Sequence, residues 1–252
     1  MLPPSKALIN PPAPATLNPS LNQAIKIAAE RPEKGQLKCL HRSVGDLQRT
    51  QEFYRALFDL KTTEQSDAQL TLSDGFTQLH FHLDADMRGP SVGKAANAMA
   101  LIHPNIETRN NHLAFGGADF ANLKPTLAAR KIPYETFAVP DTELFQTFFF
   151  DPDGHLLEIT EASLKVEIDS KFGWGVQHIS HLSNTLAEDC RFIEDVLGFN
   201  PMPRPGFEAK GAWYTDGFIE YHLVQPSARS FDFFSDKWEV GTKTSLGGMA
   251  MC

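Results

Sequence analysis

A chain of 252 residues, 42% of them apolar and 21% charged, has room for one large or two small cores but no run near the roughly 20 apolar residues that a spanning helix needs. A formal charge of −8 and a pI near 5.6, without a Lys/Arg cluster, exclude the basic face that phosphate contacts require. Neither nucleic acid nor a membrane is therefore expected as a partner. Cys39, Cys190 and Cys252 have no paired spacing, which argues against a disulfide framework and fits a reducing, cytoplasmic compartment.

Residues 1–35 are rich in Pro, Asn and Ser and read as a mobile lead-in, with helical character only in SLNQAIKIAAE. They hold no secretory core and no Arg-rich amphipathic pattern, although a targeting role stays open as an alternative. The following stretch, 36–98, predicts a short strand and then a helix capped by Asp46 with Leu47, Phe53 and Leu57 on its buried stripe. Strand-like runs AQLTLS and TQLHFHL come next.

Residues 106–162 repeat that order: a strand at HLAF, a helix capped by Asp119 with Phe120, Leu123 and Leu127 inward, then ETFAV, QTFFF and HLLEIT. A third copy spans 172–227, where 178–199 lies without gaps over 39–60. Its helix is expected to start in a capping box of Thr185 and Glu188 and to bury Leu186, Ile193, Val196 and Leu197, before the strands GAWYT and FIEYHLV. The remaining residues 228–252 show no further strand–helix pattern and read as an irregular tail.

The unit is thus βαβββ, written three times. One such unit has a curved sheet with a single helix-covered face, so two must pair to close a cup. The expectation is an α+β fold in which paired βαβββ units, 36–98 with 106–162, form a curved, cup-like mixed sheet with helices outside. A third, unpaired βαβββ unit would stand as half of a second domain, with a homodimer through that unit as one way to complete it.

In FQTFFFDPDGHLLEIT, Pro152, Asp153 and Gly154 supply ordinary turn chemistry. Alternation along the strand that follows sends His155, Leu157 and Ile159 one way and Leu156, Glu158 and Thr160 the other. Glu158 then faces either solvent or the cup, and a hidden carboxylate needs a compensating partner. No phosphate loop, dinucleotide fingerprint or nucleophile elbow occurs, and His103, His155 and His181, in turn or surface contexts, receive no role.

The stretches VGDLQRTQEFYRALFDL, NNHLAFGGADFANL, FFFDPDGHLLEI, HISHLSNTLAEDCRFIEDVLGF and GAWYTDGFIEYHLVQ resemble the vicinal oxygen chelate superfamily of glyoxalases, bleomycin resistance proteins and extradiol dioxygenases. The likeness to glyoxalase I is greatest in the first helix. The resemblance places Glu158 on the family's final-strand carboxylate ligand and His112 on its histidine ligand. It places Cys39 on the opening-strand position, two residues from the alternative His41. Aligning SDGF with TDGF makes His80 the last-strand candidate, with His82 on the same face. The expected metal set is therefore Cys39, His80, His112 and Glu158. His80 and His82 can equally form a stacked pair on a polar wall, and His178, His222 and Glu220 constitute half a site in the third unit.

The resemblance implies a metalloenzyme of glyoxalase I type, lyase or isomerase, using a divalent ion (Zn, Ni, Fe or Mn) on a small oxygenated substrate such as the glutathione hemithioacetal of a 2-oxoaldehyde. In that reading Glu158 is both ligand and proton shuttle. Two other readings are an extradiol-type dioxygenase with ferrous iron and a metal-free small-molecule binding protein, which Cys39 at a ligand position favours.

Overall fold

The structure, a computed structural model, describes residues 36–84, 111–117, 120–142, 144–160, 174–225 and 249–251. The lead-in, His103, Asp119 and residues 228–248 lie outside them. The first unit consists of β1 (Leu37–Val44), α1 (Leu47–Phe58), β2 (Lys61–Gln65), β3 (Gln69–Ser73) and β4 (Gln78–Leu83). The second contains β5 (His112–Gly117), α2 (Phe120–Ala129), β6 (Tyr134–Ala138), β7 (Phe145–Phe150) and β8 (Leu156–Thr160). The third contains β9 (Trp174–Leu182), α3 (Leu186–Arg191), β10 (Asn200–Met202), β11 (Gly211–Thr215) and β12 (Glu220–Val224). A short β13 (Met249–Met251) closes the series.

Each unit places its strands in one order. The opening strand lies parallel to the last one, which forces a crossover through the helix, and the remaining strands follow as antiparallel hairpins. The fold is α+β, with mixed, curved sheets and few helices, as the repeat predicts.

The partnership of the units differs from the expectation. The second unit shares its sheet with the third: β5 pairs antiparallel with β9, giving the eight-stranded order β10-β11-β12-β9-β5-β8-β7-β6. The first unit forms its own five-stranded sheet, β13-β1-β4-β3-β2, in which β13 occupies the open edge of β1. Loop closure explains the choice. Thr160 ends β8 opposite Gly116, and Trp174 begins β9 opposite Gly117, so a link of modest length brings β9 to the edge of β5. The edge of β9 that a cross-chain pairing of third units would use is the one already bonded to β5.

Helix α1 starts where expected, with the Asp46 carboxylate accepting from Arg49 N at 3.0 Å. Its apolar face is broader than the predicted stripe. Tyr54 and Phe58 are fully buried, and Phe58 stacks on Phe115 at 4.0 Å between ring centroids while meeting Trp174 edge-on at 5.8 Å. Large aromatic side chains of this kind each contribute about 1.5–3 kcal/mol on burial. α1 thereby packs its own sheet and the outer face of the eight-stranded sheet into one core. Gly117 is required at this junction, because a Cβ there would lie 2.5 Å from the Trp174 ring.

Polar links reinforce the contact. Asp74 and Asp216 hold equivalent hairpins by accepting from backbone N–H groups of their own turns, at 2.7–2.9 Å. Their second oxygens reach across: Asp74 accepts from Val176 N at 2.8 Å and Asp216 from Leu37 N at 2.7 Å. The DPDG turn joins in, since Asp153 accepts from Gly45 N and Arg49, and Asp151 accepts from the Tyr54 hydroxyl at 3.0 Å. His155, expected in a turn or surface context, is buried and bonded to Asp151 at 2.8 Å.

The third helix departs from its predicted start and stripe. Thr185 makes no capping bond to the backbone with its side chain; its hydroxyl and that of Ser183 donate to Asp189 instead. From Phe192 to Leu197 the helix widens into a π-helix, which rotates the register. Ile193 stays buried, but Val196 is 66% exposed and Phe192 54% exposed.

Candidate metal centre

The site lies on the inner face of the eight-stranded sheet, where the second and third units meet. Ala114 pairs with Glu158 on one side and with His178 on the other. Directly paired residues share a face of the sheet, and the single methyl of Ala114 leaves the space above it to its two neighbours. His112, two residues earlier, reaches the same space.

Three donor atoms converge there. His112 Nε2 stands 2.9 Å from both His178 Nε2 and Glu158 Oε2, and His178 Nε2 is 3.5 Å from Glu158 Oε2. All three residues are buried, Glu158 completely.

Neighbouring groups hold the donors in place. Glu158 Oε1 accepts from Gln146 Nε2 at 2.8 Å, fixing the carboxylate and aiming Oε2 at the imidazoles. A bulge in β9 makes Gln177 the extra residue opposite the Ala114–Phe115 step, so that Gln177 and His178 turn to the same side. Gln177 Oε1 accepts from His178 Nδ1, and Gln177 Nε2 donates to Glu220 Oε1 at 3.1 Å. With its Nδ1 engaged by Gln177, His178 turns Nε2 to the site.

This arrangement fits a cation. Glu158 Oε2 is buried without a hydrogen bond of acceptable geometry, although two imidazole nitrogens face it. Burial pushes the Glu158 carboxyl up, but His178 and His112 outweigh it and hold the group well below the ordinary carboxylate range. It is a firmly anionic oxygen donor beside two nitrogen donors, the set that divalent zinc, iron and related ions take.

A second layer borders the first. His222 stacks on His178 at 4.1 Å and lies flat against Trp213 at 3.9 Å, with its Nε2 2.8 Å from Glu220 Oε2. Burial, followed by the charges of His178 and His112, pushes His222 well below the usual imidazole value. Burial, with Glu158 adding to it, raises the Glu220 carboxyl to about 7. A small pocket, open to solvent on one side, is lined by His112, Glu158, His178, Arg204, Trp213 and His222 among others.

The expected ligand set is only half assembled here. His112 and Glu158 meet as anticipated, whereas Cys39 and His80 do not join them; they cluster with His41 on the five-stranded sheet. The reason is the edge pairing: the opening strand presented to β5 is β9, so the second imidazole is that of His178. On the separate sheet His41 stacks against both His80 at 4.7 Å and His82 at 5.1 Å, and its Nδ1 is 2.8 Å from His82 Nε2. Gln146 was legible only as a polar residue alternating within an aromatic strand. Gln177 and Arg204 carried no signal, because a bulge and a loop have no periodicity.

A model for the "Glyoxalase/Bleomycin resistance protein/Dioxygenase superfamily" matches residues 36–159. Comparison with curated proteins finds no match. Among solved structures, glyoxalase I from Zea mays superposes with a TM-score of 0.55 at 15% identity, over 77% of this chain and 68% of that one. A V278E variant of the maize enzyme gives a TM-score of 0.56 at 15% identity over 81% and 73% of the two chains. A Bacillus subtilis protein assigned as a dioxygenase gives 0.56 at 17% identity over 77% of this chain, which spans 64% of that protein's length. At such identities these structures speak for the fold. Residues 36–159 thus match the superfamily model, and the solved structures share the fold of the chain around them.

Proposed function

We propose that His112, Glu158 and His178 hold a divalent metal ion at which a small oxygenated substrate undergoes proton transfer, the chemistry of a glyoxalase I-type lyase or isomerase. The observation that carries this reading is the convergence of two imidazole nitrogens on a fully buried carboxylate oxygen that lacks a well-formed hydrogen bond. A bound ion of this class supplies Lewis acidity toward two neighbouring substrate oxygens.

The residues divide the remaining work. Glu158 serves as ligand, and as a carboxylate beside the bound substrate it is placed to shuttle a proton as well. Glu220, with its carboxyl raised to about 7 and paired to His222 on the pocket wall, has the basicity to take a proton near neutral pH. Trp213 and His222 give the substrate a flat aromatic wall.

One observation favours a second reading. Two histidines and one carboxylate with open positions form the set that suits ferrous iron in oxygenases, and the convergent trio has that composition. Metal content, methylglyoxal–glutathione isomerisation and oxygen uptake on a catechol, measured for the chain and for Glu158→Gln, separate the cases. Stoichiometric metal lost in the variant, with isomerisation, is the expected result. Bound iron with oxygen uptake selects the dioxygenase, and absence of metal from both proteins overturns the metal centre.

A further inference from the structure

Arg204 lies in the loop between β10 and β11, and its guanidinium lines the same pocket as Glu158, His178 and His222. Its Nη1 donates to Phe207 O at 3.3 Å, and its Cζ stands 5.2 Å from the Phe207 ring centroid. Nε and Nη2 are buried and have no acceptor. Arg204 as a whole is half-buried, so one edge of its guanidinium is covered without a partner.

A guanidinium does not shed its charge in a protein, so burial without an acceptor costs stability that the fold has to bear. The two idle nitrogens are also the pair whose N–H bonds run side by side, the fork that matches both oxygens of a carboxylate. Gly211 packs against that edge: a Cβ there would lie 3.2 Å from Nε and 2.3 Å from Leu223 O. Phe207 and Trp213, with centroids 6.1 Å apart, form an apolar wall beside the fork.

We infer that Arg204 is the anion-recognising residue of this pocket and that the substrate carries a carboxylate on a flat, partly apolar body. The inference rests on the pocket being the substrate site. Glu158 is the acidic side chain among the residues lining the pocket, and it faces the two imidazoles. An anion entering on the Arg204 side supplies the missing counter-charge.

The test uses the whole chain stripped of metal with EDTA, and titrates benzoate against the neutral isostere benzamide by calorimetry. Wild type should bind benzoate at least about tenfold tighter. Arg204→Gln should erase that preference, and Arg204→Lys should keep part of it. Equal affinity for the two probes in wild type, no detectable binding of benzoate, or a preference that survives in Arg204→Gln would each overturn the assignment. A second readout needs no ligand: Arg204→Met removes an unpartnered buried charge, so its Tm without ligand should rise by about 2–4 °C, and a fall would count against the inference. Zinc titration of the same proteins keeps the two readings apart. Zinc affinity unchanged in Arg204→Gln is expected, and wild type that selects benzoate but fails to bind zinc would sink the metal centre while leaving the anion subsite standing.

Discussion

The inner faces of the two sheets are built from the same strand order but have become chemically different surfaces. Cys39 occupies on β1 the place that His178 occupies on β9, and in each strand the preceding residue, Lys38 or Gln177, sits in a bulge. On β4 and β12 the pairs are Gln78 with Glu220 and His80 with His222, at matching distances from the SDGF and TDGF turns. The face of the eight-stranded sheet brings two buried carboxylates among its imidazoles, while the metal-competent group on the five-stranded face is Cys39, His41 and His80, with no acid. Imidazoles without an anion stack, as His41 does on His80 and His82, and His41 is hydrogen-bonded to His82 while His80 turns to Thr71 and Gln78. Imidazoles converging on a buried carboxylate make a candidate cation site. The lesson is that a second sheet edge matters as much as the residue type, because β9 delivers His178 to Glu158 while no strand among the described residues delivers an acid to Cys39.

The largest expected change comes from making the richer face resemble the poorer one. Glu158→Gln should weaken metal binding at least about 100-fold, measured by competition with a chromophoric chelator, because the remaining donors are neutral. Metal retained at wild-type affinity would mean the two faces do not differ in the way described.

The joint between the faces is the next point of attack. Burial pushes the Asp151 carboxyl up, but the charge of His155 and the bonds from His155 and Tyr54 hold it below its ordinary value. A depressed folded value means that this stabilisation is present above the unfolded carboxylate pKa and is lost as pH falls through the folded one. Asp151→Asn should therefore cost about 3 kcal/mol in urea unfolding at pH 7, with the gap to wild type closing below about pH 4. A gap that widened in acid would contradict the sign.

A smaller effect is expected from the support of His178. Gln177→Leu removes the acceptor of His178 Nδ1 and the donor to Glu220, and should weaken metal binding about 10–100-fold without changing the stoichiometry. The smallest is a null result: Cys39→Ser with His80→Asn should leave metal affinity at the paired face within about twofold, since the clusters belong to separate sheets. Loss of that metal would place the first unit's residues back in the site.

Much of the architecture was legible residue by residue. Asp46 caps α1 as the pattern required, the gapless overlay of 39–60 on 178–199 announced the repeated unit, and the DPDG turn and alternation in HLLEIT put Glu158 on one face of its strand. Periodicity, capping and turn chemistry are local, so they are written in neighbouring residues and survive without knowledge of the fold. His112 and Glu158 were paired by the resemblance to the family, and they meet because β5 and β8 are neighbours in one unit. What lay beyond local chemistry was the choice of edge. The outer edges of β1, β5 and β9 offer the same N–H and C=O groups, and the decision among them rests on loop closure and on the packing of α1 against Phe115 and Trp174. That decision moved the second imidazole from the first unit to His178, left Cys39 and His80 on a separate face, and brought the guanidinium of Arg204 into the pocket.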